Sequence, residues 1–253
     1  MTAESRAFHL TKSERLRMIP IRVDTPRYST PFVTYFIIAL NTVVFLFELS
    51  VGWQSHRALN GLMYEFGVVP HRFELALSGS SHVSLPELSL TILTSMFLHA
   101  SWLHIIFNMW FLWIFGDNIE DHLGHFLYLL FYLVCGFAGA ITYILSNVAS
   151  RVPSIGASGA IAGVMGAYLV LYPRARVLTL VPLIIFFTFW RLPAWIFLGY
   201  WFLVQFLSGT AIVEDGQTGG GVAFWAHVGG FVAGIVLIKL LPERTGRNRY
   251  ASW

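Results

Sequence analysis

Apolar residues in this chain gather into six long runs, at about residues 32–49, 93–115, 126–145, 158–172, 193–207 and 222–241, with short polar segments between them. A helix needs roughly 20 apolar residues to cross the hydrocarbon core of a bilayer. The pattern therefore predicts an all-α fold, a polytopic transmembrane helical bundle of six spans. Residues 51–90 are mixed, with Trp53, Tyr64, Phe66 and Pro70. They are too polar to span and too aromatic for a plain linker, so an interfacial first loop lying on the membrane is expected. A short acidic turn is read at 116–121, after the second run. The run 177–190 is apolar but short and interrupted by Pro182, which reads as a re-entrant or interfacial connection. A Gly-rich polar loop with Glu214 and Asp215 leads into the last run. The chain so divides into a basic tail (1–30), a six-span membrane domain (31–242) and a C-terminal tail (243–253).

Composition supports a membrane setting. Hydrophobic residues make up 56% of the 253 residues, charged residues 11%, and the mean hydropathy is +0.66. A soluble domain is about a quarter charged, and a surface facing lipid cannot carry that many ions. The net charge of +3 does not point to nucleic acid, because the basic residues sit beside the apolar runs. Thirteen Lys/Arg fall on one side of the predicted topology and three (Arg57, Arg72, Arg151) on the other. Excess positive charge marks the cytoplasmic side, so both termini are expected in the cytoplasm. The opening stretch has no apolar core followed by a small-residue cleavage site, and no removable signal peptide is expected. Cys135 is the only cysteine, so no internal disulfide forms.

The chemistry lies in polar residues within the apolar runs, where they are expensive and tend to be paired or functional. His104 and Asn108 are four apart on one helical face, with His99 just before them. Interhelical hydrogen bonding alone accounts for such residues in many bundles. Ser158 opens the fourth run inside Ile155-Gly156-Ala157-Ser158-Gly159-Ala160-Ile161-Ala162-Gly163. His227 opens the sixth, inside Ala226-His227-Val228-Gly229-Gly230. A serine there is by itself an ordinary packing residue; an imidazole is harder to explain that way. Helical phase pairs the two. Ala162 and Gly166 follow Ser158 on its face, Gly230 and Gly234 follow His227 on its face, and small-residue stripes let helix backbones approach closely. Ser158 and His227 would then meet at one membrane depth as nucleophile and base. His104, Asn108 and the Ser158 amide would donate to an oxyanion. The third to sixth runs hold no acidic residue, so a dyad is expected, with His227 oriented by packing or by a neutral hydrogen bond.

Assembled in this order, the residues resemble the rhomboid family of intramembrane serine proteases, in its bacterial-type, six-span form. The resemblance covers most of the chain and rests on Gly156-Ala157-Ser158-Gly159, on Ala226-His227-Val228-Gly229-Gly230 with Gly234, and on His99-x4-His104-x3-Asn108 running on to Gly116-x3-Glu120-x3-Gly124. It implies Ser158 as nucleophile, His227 as general base, and His104 and Asn108 in the oxyanion hole. It implies that Glu120 supports the fold by hydrogen bonding within the segment after span two. Ala162 stands where many members carry an aromatic residue that stacks on the histidine, and His122 stands where many carry a basic residue. The Trp-Arg pair often seen in the first loop is not evident in 51–90.

The implied activity is cleavage of transmembrane segments of single-span membrane proteins near their outer end. The expected location is the bacterial inner (plasma) membrane, with the lipid bilayer as surroundings and no nucleic-acid partner. A polar cavity should open outward from Ser158, and Phe197, Trp201 and Phe202 of span five would form a lateral gate. Nothing in the sequence calls for a cofactor or metal, or sets an oligomeric state. A catalytically inactive relative that binds and escorts membrane proteins is the nearest alternative, but such proteins usually lack the serine or histidine. A proton-coupled transporter using His104 and His227 would predict midmembrane carboxylates and an internal repeat. A metal site at His99, His104 and His227 would lack a cysteine or carboxylate at ligand spacing. No H-E-x-x-H zinc signature is present, and an aspartyl protease would need a second carboxylate beside Asp117.

Overall fold

The computed structural model describes residues 18–80, 84–183, 186–214 and 223–243. The tail residues Arg6, Lys12, Arg15 and Arg17, the loop from Asp215 to 222, and Arg244, Arg247 and Arg249 lie outside the described residues. Helices dominate: α1 (Phe32–Gln54), α2 (His56–Phe66), α3 (Pro70–Leu77), α4 (Leu85–Ser95), α5 (Trp102–Leu123), α6 (His125–Ser146), α7 (Ser158–Leu171), α8 (Ala194–Glu214) and α9 (Phe224–Leu240). Among the described residues, α1 and α6 are long and apolar enough to cross a membrane, and α7, α8 and α9 are shorter apolar helices.

The polarity is inside out. On α1 the buried positions are Thr34, Ile37, Asn41, Phe45 and Glu48, whereas Phe36, Val43, Leu46 and Phe47 are exposed. Water would reward the opposite arrangement; in lipid the polar groups must turn inward to find partners. The centre of the bundle is α7, buried at every position from Gly159 to Tyr168 and packed against α5, α6, α8 and α9.

Three features depart from the sequence reading. The fold is mostly helical but not all-α, because β1 (Ile19–Val23), β2 (Arg176–Leu183) and β3 (Phe186–Pro193) form an antiparallel sheet in the order β1-β2-β3. The run 177–190 is thus the body of a hairpin. Val177, Thr179 and Val181 are buried at a period of two, which suits a strand with one covered face. Its partner β1 belongs to the stretch read as a polar tail; Pro20 is tolerated there because β1 is an edge strand.

The second apolar run is also broken. The chain leaves α4 at Ser95 and re-enters a helix at Trp102, where the Ser101 hydroxyl accepts from the His104 N–H at 3.2 Å and caps α5. That helix then continues to Leu123, so residues 116–121 are helical and no turn lies there.

The acids at this end of α5 are helical because residues 27–34 satisfy them. Glu120 is fully buried and accepts from Val33 N (2.9 Å), Thr34 N (2.8 Å), Thr34 Oγ1 (2.7 Å) and His125 Nδ1 (2.6 Å). Pro31 offers α1 no side-chain cap, so Glu120 performs that task from another helix. The expected support by Glu120 is therefore directed mainly at the start of α1, with His125 as the local partner. Asp121 accepts from the Ser29 hydroxyl, and Asp117 pairs with Arg27 at 3.6 Å.

The segment 51–90 carries α2, α3 and the start of α4. It straps the loop that precedes α7: Val68 and Ser154 exchange backbone hydrogen bonds at 3.0 and 2.8 Å, and His71 N donates to Ser150 O at 3.0 Å.

Candidate active site

Ser158 is the first residue of α7, and His227 lies in the first turn of α9. They meet because the two helices run parallel with their backbones touching. A Cβ on Gly230 would overlap the Gly159 carbonyl, and one on Gly234 would overlap the Gly163 carbonyl. Close approach of this kind needs glycine on both sides. The α7 face in contact is Gly159, Gly163 and Gly166, rotated by one residue from the Ser158-Ala162-Gly166 stripe read from sequence.

At the top of this seam His227 Nε2 lies 2.8 Å from Ser158 Oγ. The other ring nitrogen, Nδ1, lies 2.7 Å from Gln205 Oε1 on α8. An amide oxygen only accepts, so Nδ1 carries the proton and Nε2 keeps its lone pair for the Ser158 hydroxyl. His227 is buried, and the Trp201 ring of α8 packs on it with centroids 5.7 Å apart at 36°.

His104 and Asn108 face the turn just before Ser158. Gly156 has φ +116°, a conformation that side chains rarely adopt, and its N–H donates to Ser95 O at 2.8 Å. A Cβ at Gly156 would lie 2.6 Å from His104 Nε2 and 3.4 Å from Asn108 Nδ2. Only a glycine leaves those two nitrogens room beside the turn. Asn108 is itself positioned: its Nδ2 donates to His99 Nε2 at 3.0 Å, and the His99 ring lies 5.0 Å from the His104 ring. The His99 backbone N–H donates to both oxygens of the buried Glu48 carboxylate at 3.2 Å. A cavity beside Ser158 is lined in part by Ser95, Ser154, Gly156 and Ala226.

All four residues singled out from sequence, Ser158, His227, His104 and Asn108, therefore surround one turn. Phe197 does not behave as a gate residue: it is buried and stacks on Phe115 at 6.3 Å, tying α8 to α5. Trp201 and Phe202 pack on Phe231 at 6.0 and 4.9 Å. Sequence reasoning missed Gln205 and Glu48. Gln205 is an amide within an apolar run and Glu48 is the one acid of the first run, both costly positions for a polar side chain, but neither stands in a spaced motif.

A family model described as the Rhomboid domain matches residues 87–244. The chain is 31% identical over 166 residues to Rhomboid protein 1, mitochondrial, of Saccharomyces cerevisiae, covering 63% of this chain and 44% of that protein. It is 30% identical over 176 residues to RHOMBOID-like protein 12, mitochondrial, of Arabidopsis thaliana, covering 63% and 48%. It is 44% identical over 78 residues to Rhomboid protease GluP of Bacillus subtilis, covering 31% and 15%. The chain thus spans less than half the length of these relatives.

Proposed function

The chain belongs to the rhomboid family, and we propose that it is an intramembrane serine endopeptidase acting on transmembrane segments of single-span membrane proteins near their outer end. The observation that carries the proposal is the 2.8 Å contact between His227 Nε2 and Ser158 Oγ, made with Nδ1 engaged by an acceptor. In the reaction, His227 Nε2 takes the Ser158 proton as Oγ attacks the scissile carbonyl carbon. The carbonyl oxygen gains negative charge and is held by Asn108 Nδ2–H, His104 Nε2–H and the Ser158 N–H. As the C–N bond breaks, the imidazolium returns its proton to the leaving amine. Water, deprotonated by His227, then releases the acyl group from Ser158. No cofactor enters this scheme.

The rhomboid domain makes this an integral membrane protein. Within the proposal, α1, α5, α6, α7, α8 and α9 are the six spans. At 14 residues, α7 is about 21 Å long, short of the ~30 Å hydrocarbon core. A short central helix supports a serine recessed below the membrane surface, under the strapped loop that ends at Gly156. A substrate helix must unwind there to present an extended carbonyl, which favours Gly-, Ala- or Pro-containing segments. The thirteen-to-three asymmetry in Lys and Arg supports both termini on the cytoplasmic side, and the membrane in this proposal is the bacterial inner membrane. The β2–β3 hairpin, with exposed Phe187, Phe189 and Trp190, would then rest at the cytoplasmic interface.

The test is incubation of the purified protein in detergent with a model single-span substrate, beside Ser158→Ala and His227→Ala. The parent should cleave and both variants should lose activity by more than about 10³-fold. Cleavage that persists in both variants refutes the dyad; none by the parent favours a binding or escort role.

A further inference from the structure

We propose that Gln205 is the positioning residue of the dyad, and that with Trp201 it makes α8 the element that orients His227. This rests on the reading of Ser158 and His227 as nucleophile and base. Beside the edge of Phe224 on its own helix, 6.5 Å away, the His227 ring meets two other helices. Its Nε2 meets Ser158 of α7, whereas its Nδ1 and one ring face meet Gln205 and Trp201, which are four residues apart on α8. On α7 the side chain one turn after Ser158 is Ala162, a buried methyl with no ring to offer.

Without Gln205, the imidazole of His227 is free to carry its proton on Nε2 or to rotate about its side-chain bonds. In either state no lone pair faces Ser158 Oγ. The 2.7 Å contact removes both states, because Oε1 requires a proton on Nδ1. An amide does this without placing a carboxylate among apolar helices, where an ionised group is expensive. Trp201 adds a wall: it touches His227 and, one turn along α9, Phe231 at 6.0 Å. The outer side of α8 is exposed at Trp195, Leu203 and Leu207. Movement of α8 away from α9 would therefore separate the base from its acceptor, and the catalytic geometry of His227 is linked to the position of this helix.

The test compares Gln205→Met and Gln205→Glu with the parent, and with Ser158→Ala, on the same model single-span substrate in detergent. Methionine matches the length of glutamine but accepts no comparable hydrogen bond; glutamate keeps the acceptor and adds charge. The expected result is a fall in kcat of about 10- to 100-fold for Gln205→Met, with KM within about twofold. Gln205→Glu should retain more kcat than Gln205→Met. The rate at which a fluorophosphonate labels Ser158 should follow the same order. A residue that merely packed would give the reverse order, because methionine suits an apolar helix better than a carboxylate does. Gln205→Met at parental kcat, or Gln205→Glu below Gln205→Met, overturns the assignment. The comparison of the two variants decides even where their thermal unfolding midpoints shift. A parent that neither cleaves nor is labelled, or a Ser158→Ala variant that still cleaves, overturns instead the protease reading on which the assignment rests.

Discussion

Gly156→Ala probes how the turn before Ser158 leaves room for the oxyanion donors. The added Cβ meets two penalties. At φ +116° an L-residue is strained, at about 1–3 kcal/mol for a sparsely populated backbone region. The methyl would also lie 2.6 Å from His104 Nε2 and 2.8 Å from His104 Cε1, closer than real carbon contacts. Relief to ordinary van der Waals distance moves the imidazole or the turn by roughly 1 Å. A donor displaced that far no longer meets a developing oxyanion, and losing one such donor lowers kcat by about 10²–10³, or about 2.7–4 kcal/mol of activation free energy. The assay is kcat and KM on a model single-span substrate, with the unfolding midpoint in detergent measured in parallel. Most of the effect should fall on kcat. The decisive comparison is a double-mutant cycle with His104→Ala: once the ring is gone, Gly156→Ala should reduce kcat much less, because the two changes damage one contact. A Gly156→Ala variant within about threefold of parental kcat would refute the reasoning. So would full additivity with His104→Ala, which would mean that the methyl does not act through the imidazole.

Two further predictions follow from contacts distant from or beside the dyad. Glu120→Ala should destabilise the protein by roughly 2–5 kcal/mol, at about 1–3 kcal/mol for each donor left unsatisfied, since the Val33 and Thr34 N–H groups and the Thr34 hydroxyl lose a fully buried acceptor. Its check is the unfolding midpoint in detergent, and an unchanged midpoint would remove Glu120 as the cap of α1. Trp201→Ala and Phe202→Ala separate two roles within α8: Trp201 touches His227, so its loss should lower kcat about tenfold, whereas Phe202 packs on Phe231 and Phe206. Phe202→Ala should leave kcat near the parent while altering the rate on substrates still embedded in lipid vesicles; unchanged rates there would exclude the lateral gate.

What sequence alone determined here is local. Apolar runs, glycines one turn apart and polar residues stranded among hydrophobic ones are properties of short stretches, and helical phase carries them into three dimensions. That was enough to single out Ser158, His227, His104 and Asn108, which the fold gathers around Gly156. It was enough, too, to expect that packing or a neutral hydrogen bond orients His227, because the later runs hold no acid. Tertiary structure decided which residue that partner is. Gln205 reaches His227 only because α8 packs on α9, and no spacing rule links the two positions. The sheet has the same origin: Ile19–Val23 pairs with Arg176–Leu183 across most of the chain, and neither stretch by itself records which partner lies at that separation. The acids of α5 read as a turn in sequence for a related reason. Carboxylates predict a helix end only if nothing else satisfies them, and apart from His125 the donors described for Glu120 and Asp121 come from the segment around the start of α1, which the sequence records far away and only folding brings near.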